Sequence, residues 1–284
     1  MVELPRHLSP SSASSFDQCR KRWRFKYVEG LREPSGVAAL SGSFAHRVLE
    51  LLCELPAKLR SVDQAKALAR EVWPDFTTDP DFQALELDDD DSREFRWKAW
   101  LAVSGLWKLE DPALVEVVST EQRVKVKLGD VPFVGVIDRV DRIDNGLVVS
   151  DYKSGSVPRT QWRDDKVLQV MLYAAALQAT TGEQPSRARL LYLGQQIIEE
   201  TVTDSRIENA TSQISTTWSN INAACENDDF PADTGPLCGW CPFVDRCPDG
   251  RAEVEKRASQ GRLAIHAPAI EILGLDPVEA GANS

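Results

Sequence analysis

Between Gly135 and Gly155 the chain reads GVIDRVDRIDNGLVVSDYKSG, and this stretch restricts the fold more than any other. Asp144-Asn145-Gly146 is a turn signal, because Asn-Gly accepts the positive φ of a two-residue hairpin loop. Residues 134–143 and 147–153 flank it and are rich in β-branched side chains, as strands are. With Asn145 and Gly146 as the loop, Asp144 pairs with Leu147, and counting outward sets Asp138 opposite Lys153. Side chains alternate along a strand, so Asp151 and Lys153 share a face. Asp138 then lies across from Lys153 and diagonally from Asp151.

Two carboxylates close together repel unless a cation sits between them. A hard divalent ion such as Mg²⁺ suits the pair, since it takes a few carboxylates and keeps several waters. The lysine can then hold or activate a water on that ion, or stabilise phosphate charge. An exposed Asp/Lys ladder of little energetic consequence has the same spacing, so the rest of the chain must decide.

A chain of 284 residues is long enough for a full core, as one large domain or two small ones. No apolar run has membrane-spanning length, and MVELPRHLSPSS has no apolar signal core, so a cytoplasmic location without membrane attachment is expected. The net charge of −11 excludes a simple duplex-coating protein, but it is unevenly spread. Residues 79–91 are densely acidic and read as a solvated loop or helix edge. Residues 20–26 (RKRWRFK) are densely basic. There the aromatics Trp23, Phe25 and Tyr27 either stack bases while the cations track phosphates, or belong to the core with the cations solvated.

Ser9-Pro10 marks a helix start, with Ser9 as N-cap and Pro10 in the first turn. A second helix is expected over 44–55, after Gly42-Ser43, with His46 and Glu50 on one face. Residues 56–110 read as mainly helical, with Trp73, Trp97, Trp100 and Trp107 as core anchors. Residues 114–128 read as one or two strands, 166–180 as a helix with Gln169 and Tyr173 as its polar pair, 187–194 and 195–202 as strands, and 207–227 as a helix. This order implies a mixed α/β fold with a sheet covered by helices. The tail from 260 to 284 reads as peripheral.

Six cysteines in such a chain are not expected to form disulfides. Cys238, Cys241 and Cys247 form C-x2-C-x5-C in a turn-rich segment, a metal-binding signature. A zinc ion or an iron–sulfur cluster takes four ligands. Cys53 and Cys225 sit in apolar helical patterns and read as buried hydrophobes, which leaves Cys19 as the fourth. The spacing does not separate zinc from a [4Fe-4S] cluster.

Taken together, these residues resemble the RecB-like nucleases of the PD-(D/E)XK superfamily, in the iron–sulfur branch that includes AddB-type nuclease domains and CRISPR-associated RecB-like exonucleases. The resemblance covers roughly residues 8–247. It is carried by GSFAHRVLE, GVIDRVD, SDYKSG and QVMLY, with Cys19 in SSFDQCRKRW and then Cys238, Cys241 and Cys247. It implies an α/β nuclease core with a mixed central sheet flanked by helices. A single domain would span 1–260, with a helical insertion at 56–112 and a peripheral tail at 261–284. An iron–sulfur staple would join segments 9–30 and 236–250. His46, Asp138, Asp151 and the Tyr152 carbonyl would bind Mg²⁺ or Mn²⁺. Asp138, Asp151, Lys153, Gln169 and Tyr173 would form the catalytic set, with Lys153 positioning the attacking water and Gln169 and Tyr173 lining the DNA path. Cys19, Cys238, Cys241 and Cys247 would hold a structural [4Fe-4S] cluster. The implied activity is metal-dependent exonuclease action on single-stranded DNA ends. Its setting would be repair and recombination, phage DNA processing or CRISPR adaptation, alone or beside a helicase or an adaptation complex. A non-catalytic DNA-binding or scaffolding protein is the competing implication.

Overall fold

Five strands from the middle of the chain lie side by side in chain order. The computed structural model describes residues 2–144, 146–159 and 163–275. Its strands are β1 (Glu116–Leu128), β2 (Val131–Ile143), β3 (Gly146–Lys153), β4 (Arg187–Tyr192) and β5 (Gln196–Thr201). Only β3 and β4 run parallel. A parallel neighbour requires a crossover, and α7 (Arg163–Thr181) provides it, packing against β1, β2, β3 and β4. This is the mixed, helix-covered α/β sheet that the order of elements implied.

The chain divides into two compact units, Ser35–Ser215 and Met1–Pro34 with Thr216–Ser284. In the first, the sheet is joined by α3 (Val37–Glu54), α4 (Val62–Phe76), α5 (Pro80–Gln83) and α6 (Asp89–Gly105). Phe44, Val48, Leu49 and Leu52 of α3 form one apolar core with Leu68, Phe82, Phe95 and Val103, and with Tyr152 and Leu191 of the sheet. Trp73, Trp100 and Trp107 pack against it, but Trp97 is 60% exposed and anchors nothing. The acidic run is a set of helix starts. Asp79 caps α5, and Asp88 Oδ1 accepts the N–H groups of Asp90 and Asp91 at 2.8 Å each. Carboxylates there neutralise free N–H groups and the positive end of the helix dipole.

Two expectations about the unit change. Helix α3 begins at Val37, so Gly42-Ser43 lies inside it. Gly42 is there for close approach: a Cβ on it would stand 2.6 Å from Ser154 Oγ. The β2–β3 register also slips. Ile143 pairs with Gly146 and Arg142 with Leu147, so the loop is residues 144 and 145. Gly146, at φ 117°, is the first residue of β3, and its freedom at positive φ serves strand entry. Lys153 is therefore not opposite Asp138. Asn145 lies outside the described residues.

The second unit contains α1 (Pro10–Gln18), α2 (Arg20–Trp23), α9 (Pro248–Ser259) and α10 (Ala269–Leu273); the division falls within α8 (Asp204–Asn227). Ser9 Oγ caps α1 by accepting from Ser12 N at 3.2 Å, with Pro10 in the first turn. The alternatives for residues 20–26 resolve toward core and surface pairs. Trp23 and Phe25 are buried, and only Tyr27 reaches the surface. Arg22 and Lys26 share Glu33, and Arg24 pairs with Glu29 and Asp228. Residues 276–284 of the expected tail lie outside the described residues. No helix among the described residues is long and apolar enough to cross a membrane.

Candidate active site

The site begins where the sheet comes apart. β2 and β3 pair only from Arg139↔Ser150 to Ile143↔Gly146. Beyond that point β2 stays with β1, and β3 stays with β4 out to Lys153↔Tyr192. The next residues on the two parting strands are Asp138 and Asp151. Asp138 Oδ2 accepts the Tyr152 N–H at 2.7 Å, filling the place of the missing ladder carbonyl. A buried N–H needs such a partner.

His46 of α3 places Nδ1 3.4 Å from Asp138 Oδ2. A third group joins them from β1. The β1–β2 pairs run Thr120↔Arg139 and then Gln122↔Ile137, stepping over Glu121, which adopts φ 45°. A non-glycine residue in that region is a local strain, and it brings Glu121 to the other two. One ligand atom each from His46, Glu121 and Asp138 lie within 4.8 Å of one another. These residues line an open cleft of about 560 Å³ with Glu50, Tyr152 and Lys153.

Asp151 is buried and wired to helix α7. Lys153 Nζ lies 2.6 Å from its Oδ2 and donates to Gln169 Oε1 at 3.0 Å. Gln169 Nε2 donates to Asp151 Oδ1 at 3.0 Å and to the Tyr173 hydroxyl at 3.1 Å. The expected catalytic set Asp151, Lys153, Gln169 and Tyr173 is thus one connected network. Tyr173 is buried and reaches Asp151 through Gln169, so it supports the site instead of lining the cleft. Gly135 makes room for its ring: a Cβ there would meet Tyr173 Cε1 at 2.7 Å.

The electrostatics show a site with surplus negative charge. Burial, then the Asp138 charge, raises the Asp151 pKa to about 6 against the relief from Lys153 and His46. Burial, then Asp138 and Glu50, raises Glu121 to about 7. For His46, burial favours the neutral ring, but the hydrogen bond and charge of Asp138 and the charge of Asp151 outweigh it and raise the pKa. One imidazole with several carboxylates is a donor set for Mg²⁺ or Mn²⁺. The residues present fit such an ion.

Behind the site, Arg139 is fully buried. Its Nη1 donates to the Tyr152 hydroxyl at 2.9 Å, and Nη2 to Asp141 Oδ2 at 2.9 Å with Glu110 Oε1 2.7 Å away. Ser150 Oγ also donates to Asp141, at 3.1 Å. This network pins Tyr152 between Asp151 and Lys153. Sequence reading missed Glu110, Glu121 and Arg139. The polar run Ser119–Gln122, which interrupts the alternation of β1, was the available sign of irregularity at Glu121.

In the other unit, Cys19, Cys238, Cys241 and Cys247 line one cavity of about 290 Å³. Backbone N–H groups of Asp233, Gly235 and Gly250 donate to the sulfurs of Cys19, Cys238 and Cys247 at 3.3–3.5 Å. Burial raises the Cys238 and Cys241 thiol pKa values despite these contacts. Among the described residues, no three thiols form a group within 4.8 Å of one another. Cys53 and Cys225 are buried elsewhere, as expected.

Comparison with known proteins adds lineage to this geometry. The sequence profile of the PD-(D/E)XK nuclease superfamily matches residues 7–248. Two curated relatives are the corresponding subunits of the ATP-dependent helicase/deoxyribonuclease of Streptococcus equi subsp. zooepidemicus, from strains MGCS10565 and H70. They are 26% identical over 169 and 167 residues, each match covering 54% of this chain. The chain spans only 14% of the length of these relatives. Among solved structures, a candidate exonuclease from Eubacterium rectale superposes with a TM-score of 0.52 at 14% identity, over 87% of this chain and 88% of that one. That likeness is one of fold.

Proposed function

The chain belongs to the PD-(D/E)XK nuclease superfamily, and from that premise we propose that it is a divalent-metal-dependent deoxyribonuclease acting as an exonuclease on single-stranded DNA ends. The observation that carries this reading is the meeting, at the parting of β2 and β3, of the His46–Glu121–Asp138 group with the Asp151–Lys153–Gln169–Tyr173 network. A scaffold has no use for carboxylates held against mutual repulsion beside a positioned lysine. His46, Asp138, Asp151 and the Tyr152 carbonyl, with Glu121 added, hold the ion. A bound Mg²⁺ or Mn²⁺ supplies Lewis-acid stabilisation of the charge that develops on the scissile phosphate.

The chain's own residues do the rest. Lys153 presents an ammonium to the attacking water and the phosphate, held in place by Asp151 and Gln169. Gln169 fixes both Asp151 and Lys153, and Tyr173 fixes Gln169. Arg139 and Asp141 keep Tyr152, and with it the 151–153 backbone, at one height along the strand. DNA is the substrate in this reading. Association with a helicase rests on the two streptococcal helicase/deoxyribonuclease relatives alone.

The four cysteines of the second unit we assign to an iron–sulfur cluster of structural role. Hydrogen bonds from backbone N–H groups to three of the sulfurs suit thiolates. Four thiolates on one zinc ion would be about 4 Å apart, given Zn–S bonds of about 2.3 Å. The wider spacing here favours an occupant larger than one ion.

A time course on end-labelled single strands with Mn²⁺, and with EDTA as control, tests the nuclease reading. Processive shortening that stops in EDTA is expected. Intact strands with every divalent cation would overturn it. Iron, sulfide and zinc analysis of protein purified without oxygen tests the cluster; stoichiometric zinc without iron overturns it.

A further inference from the structure

Strand β1 is an edge of the sheet. Beyond Glu121 it alternates sharply. Val124 and Leu128 are buried and Val126 is half-buried, whereas Arg123, Lys125 and Lys127 are exposed. Alternate strand residues are about 7 Å apart, so these cations form an evenly stepped row. Their partners across β2 are Val136, Val134 and Pro132. No carboxylate stands opposite any of them.

Elsewhere the sheet neutralises its cations. Arg187 and Arg189 share Glu199, and Arg142 pairs with Glu183. Among the described residues, none of Arg123, Lys125 and Lys127 makes an ion pair. Three like charges in a row repel one another unless a polyanion lies along them. In a chain of net charge −11, the row is not overflow from a generally basic surface. It starts two residues past Glu121, which lines the cleft, and so leads away from the metal-binding group.

We propose that Arg123, Lys125 and Lys127 form the track along which the phosphates of a single DNA strand lie as its end enters the cleft at Asp138 and Asp151. This rests on the nuclease reading for its substrate. An extended strand of protein and an extended strand of nucleic acid both repeat in steps, which suits ion pairing without base readout. The ordinary alternative is that exposed lysines on an edge strand block pairing with another chain.

Binding of oligothymidylate to the full chain carrying Asp151→Asn, measured across a salt titration, separates these. At about 0.7 in log–log slope per phosphate contact on a single strand, the variant Arg123→Gln/Lys125→Gln/Lys127→Gln lowers the slope by about 2. Lys125→Gln alone lowers it by about 0.7. An unchanged slope in folded Lys125→Gln and in the triple variant overturns the track. Aggregation of the triple variant, with the Lys125→Gln slope unchanged, identifies an edge guard and overturns it too. The two readings fail separately. A wild type that cuts no DNA but loses slope on substitution sinks the nuclease and keeps the track; one that cuts but keeps its slope sinks the track alone.

Discussion

The parting of β2 and β3 and the cysteine cavity both gather groups that bind metals, yet they hold them differently. At the parting, the two central carboxylates already have protein partners. Asp138 has His46 and the Tyr152 N–H, Asp151 has Lys153 and Gln169, and Arg139 braces the strand from behind. In the cavity the thiols have backbone N–H groups and one another, and burial discourages the ionisation of Cys238 and Cys241. A site with internal counter-charges stands without its ion, so ligand loss there appears mainly in the chemistry. A site of thiols depends on its metal for folding energy, so ligand loss there appears as instability.

The largest effect that this contrast predicts is at Asp151. Asp151→Asn should lower the rate of strand cleavage about 10³-fold, since it removes a ligand and the partner of Lys153. The metal-free melting temperature should stay within about 3 °C of wild type, because a raised carboxylate pKa means the neutral side chain is tolerated. Cleavage at the wild-type rate would remove Asp151 from the site; unfolding of the variant would erase the contrast with the cysteines.

Next in size is Cys247→Ser. It should bleach the protein and lower its melting temperature by roughly 5–10 °C, through lost metal-linked folding energy. Cys53→Ala should keep the colour. A colourless wild type, or a Cys247→Ser protein with full iron content, would place the cavity among ordinary apolar voids.

Smaller again is the support from α7. Gln169→Leu should cut activity about 10–100-fold by releasing Asp151 and Lys153 together, and Tyr173→Phe by less, since it acts one bond further back. Both should appear in the rate at saturating DNA. A Tyr173→Phe protein with lowered stability but normal activity per folded molecule would make the tyrosine a core residue only.

Much of this was legible in the chain because it depends on local periodicity. The alternation of β2 and β3, the turn signal after Ile143 and the apolar face of α7 fix a sheet with a crossover, and they bring Asp138, Asp151 and Lys153 together. What failed was anything set by one residue's backbone. The register slipped because Gly146 uses its positive φ to enter β3 and not to close the loop. Trp97 was placed in the core because size and apolarity do not say which face of α6 a residue occupies. Glu121 was invisible because its placement needs a left-handed residue in mid-strand, which no propensity foretells.

That residue gives the smallest and most diagnostic effect. Glu121, at about 7, and Asp151, at about 6, both hold protons more tightly than unfolded carboxylates do. Over the range from about pH 4 to 7 the folded, metal-free chain therefore binds more protons than the unfolded chain, and stability falls as pH rises. His46 acts in the same direction. Its raised pKa gives stability that is complete below its ordinary 6.5 and lost as pH rises through the folded value. A divalent ion must displace these protons. The rise in melting temperature produced by Mn²⁺ should consequently grow between about pH 6 and pH 8, by a few degrees. In Glu121→Gln it should be smaller and flatter above about pH 6.5, because the carboxylate that titrates last is gone. An Mn²⁺ response of equal size and pH profile in Glu121→Gln would exclude Glu121 from the ligands, and its strained backbone would then need another cause.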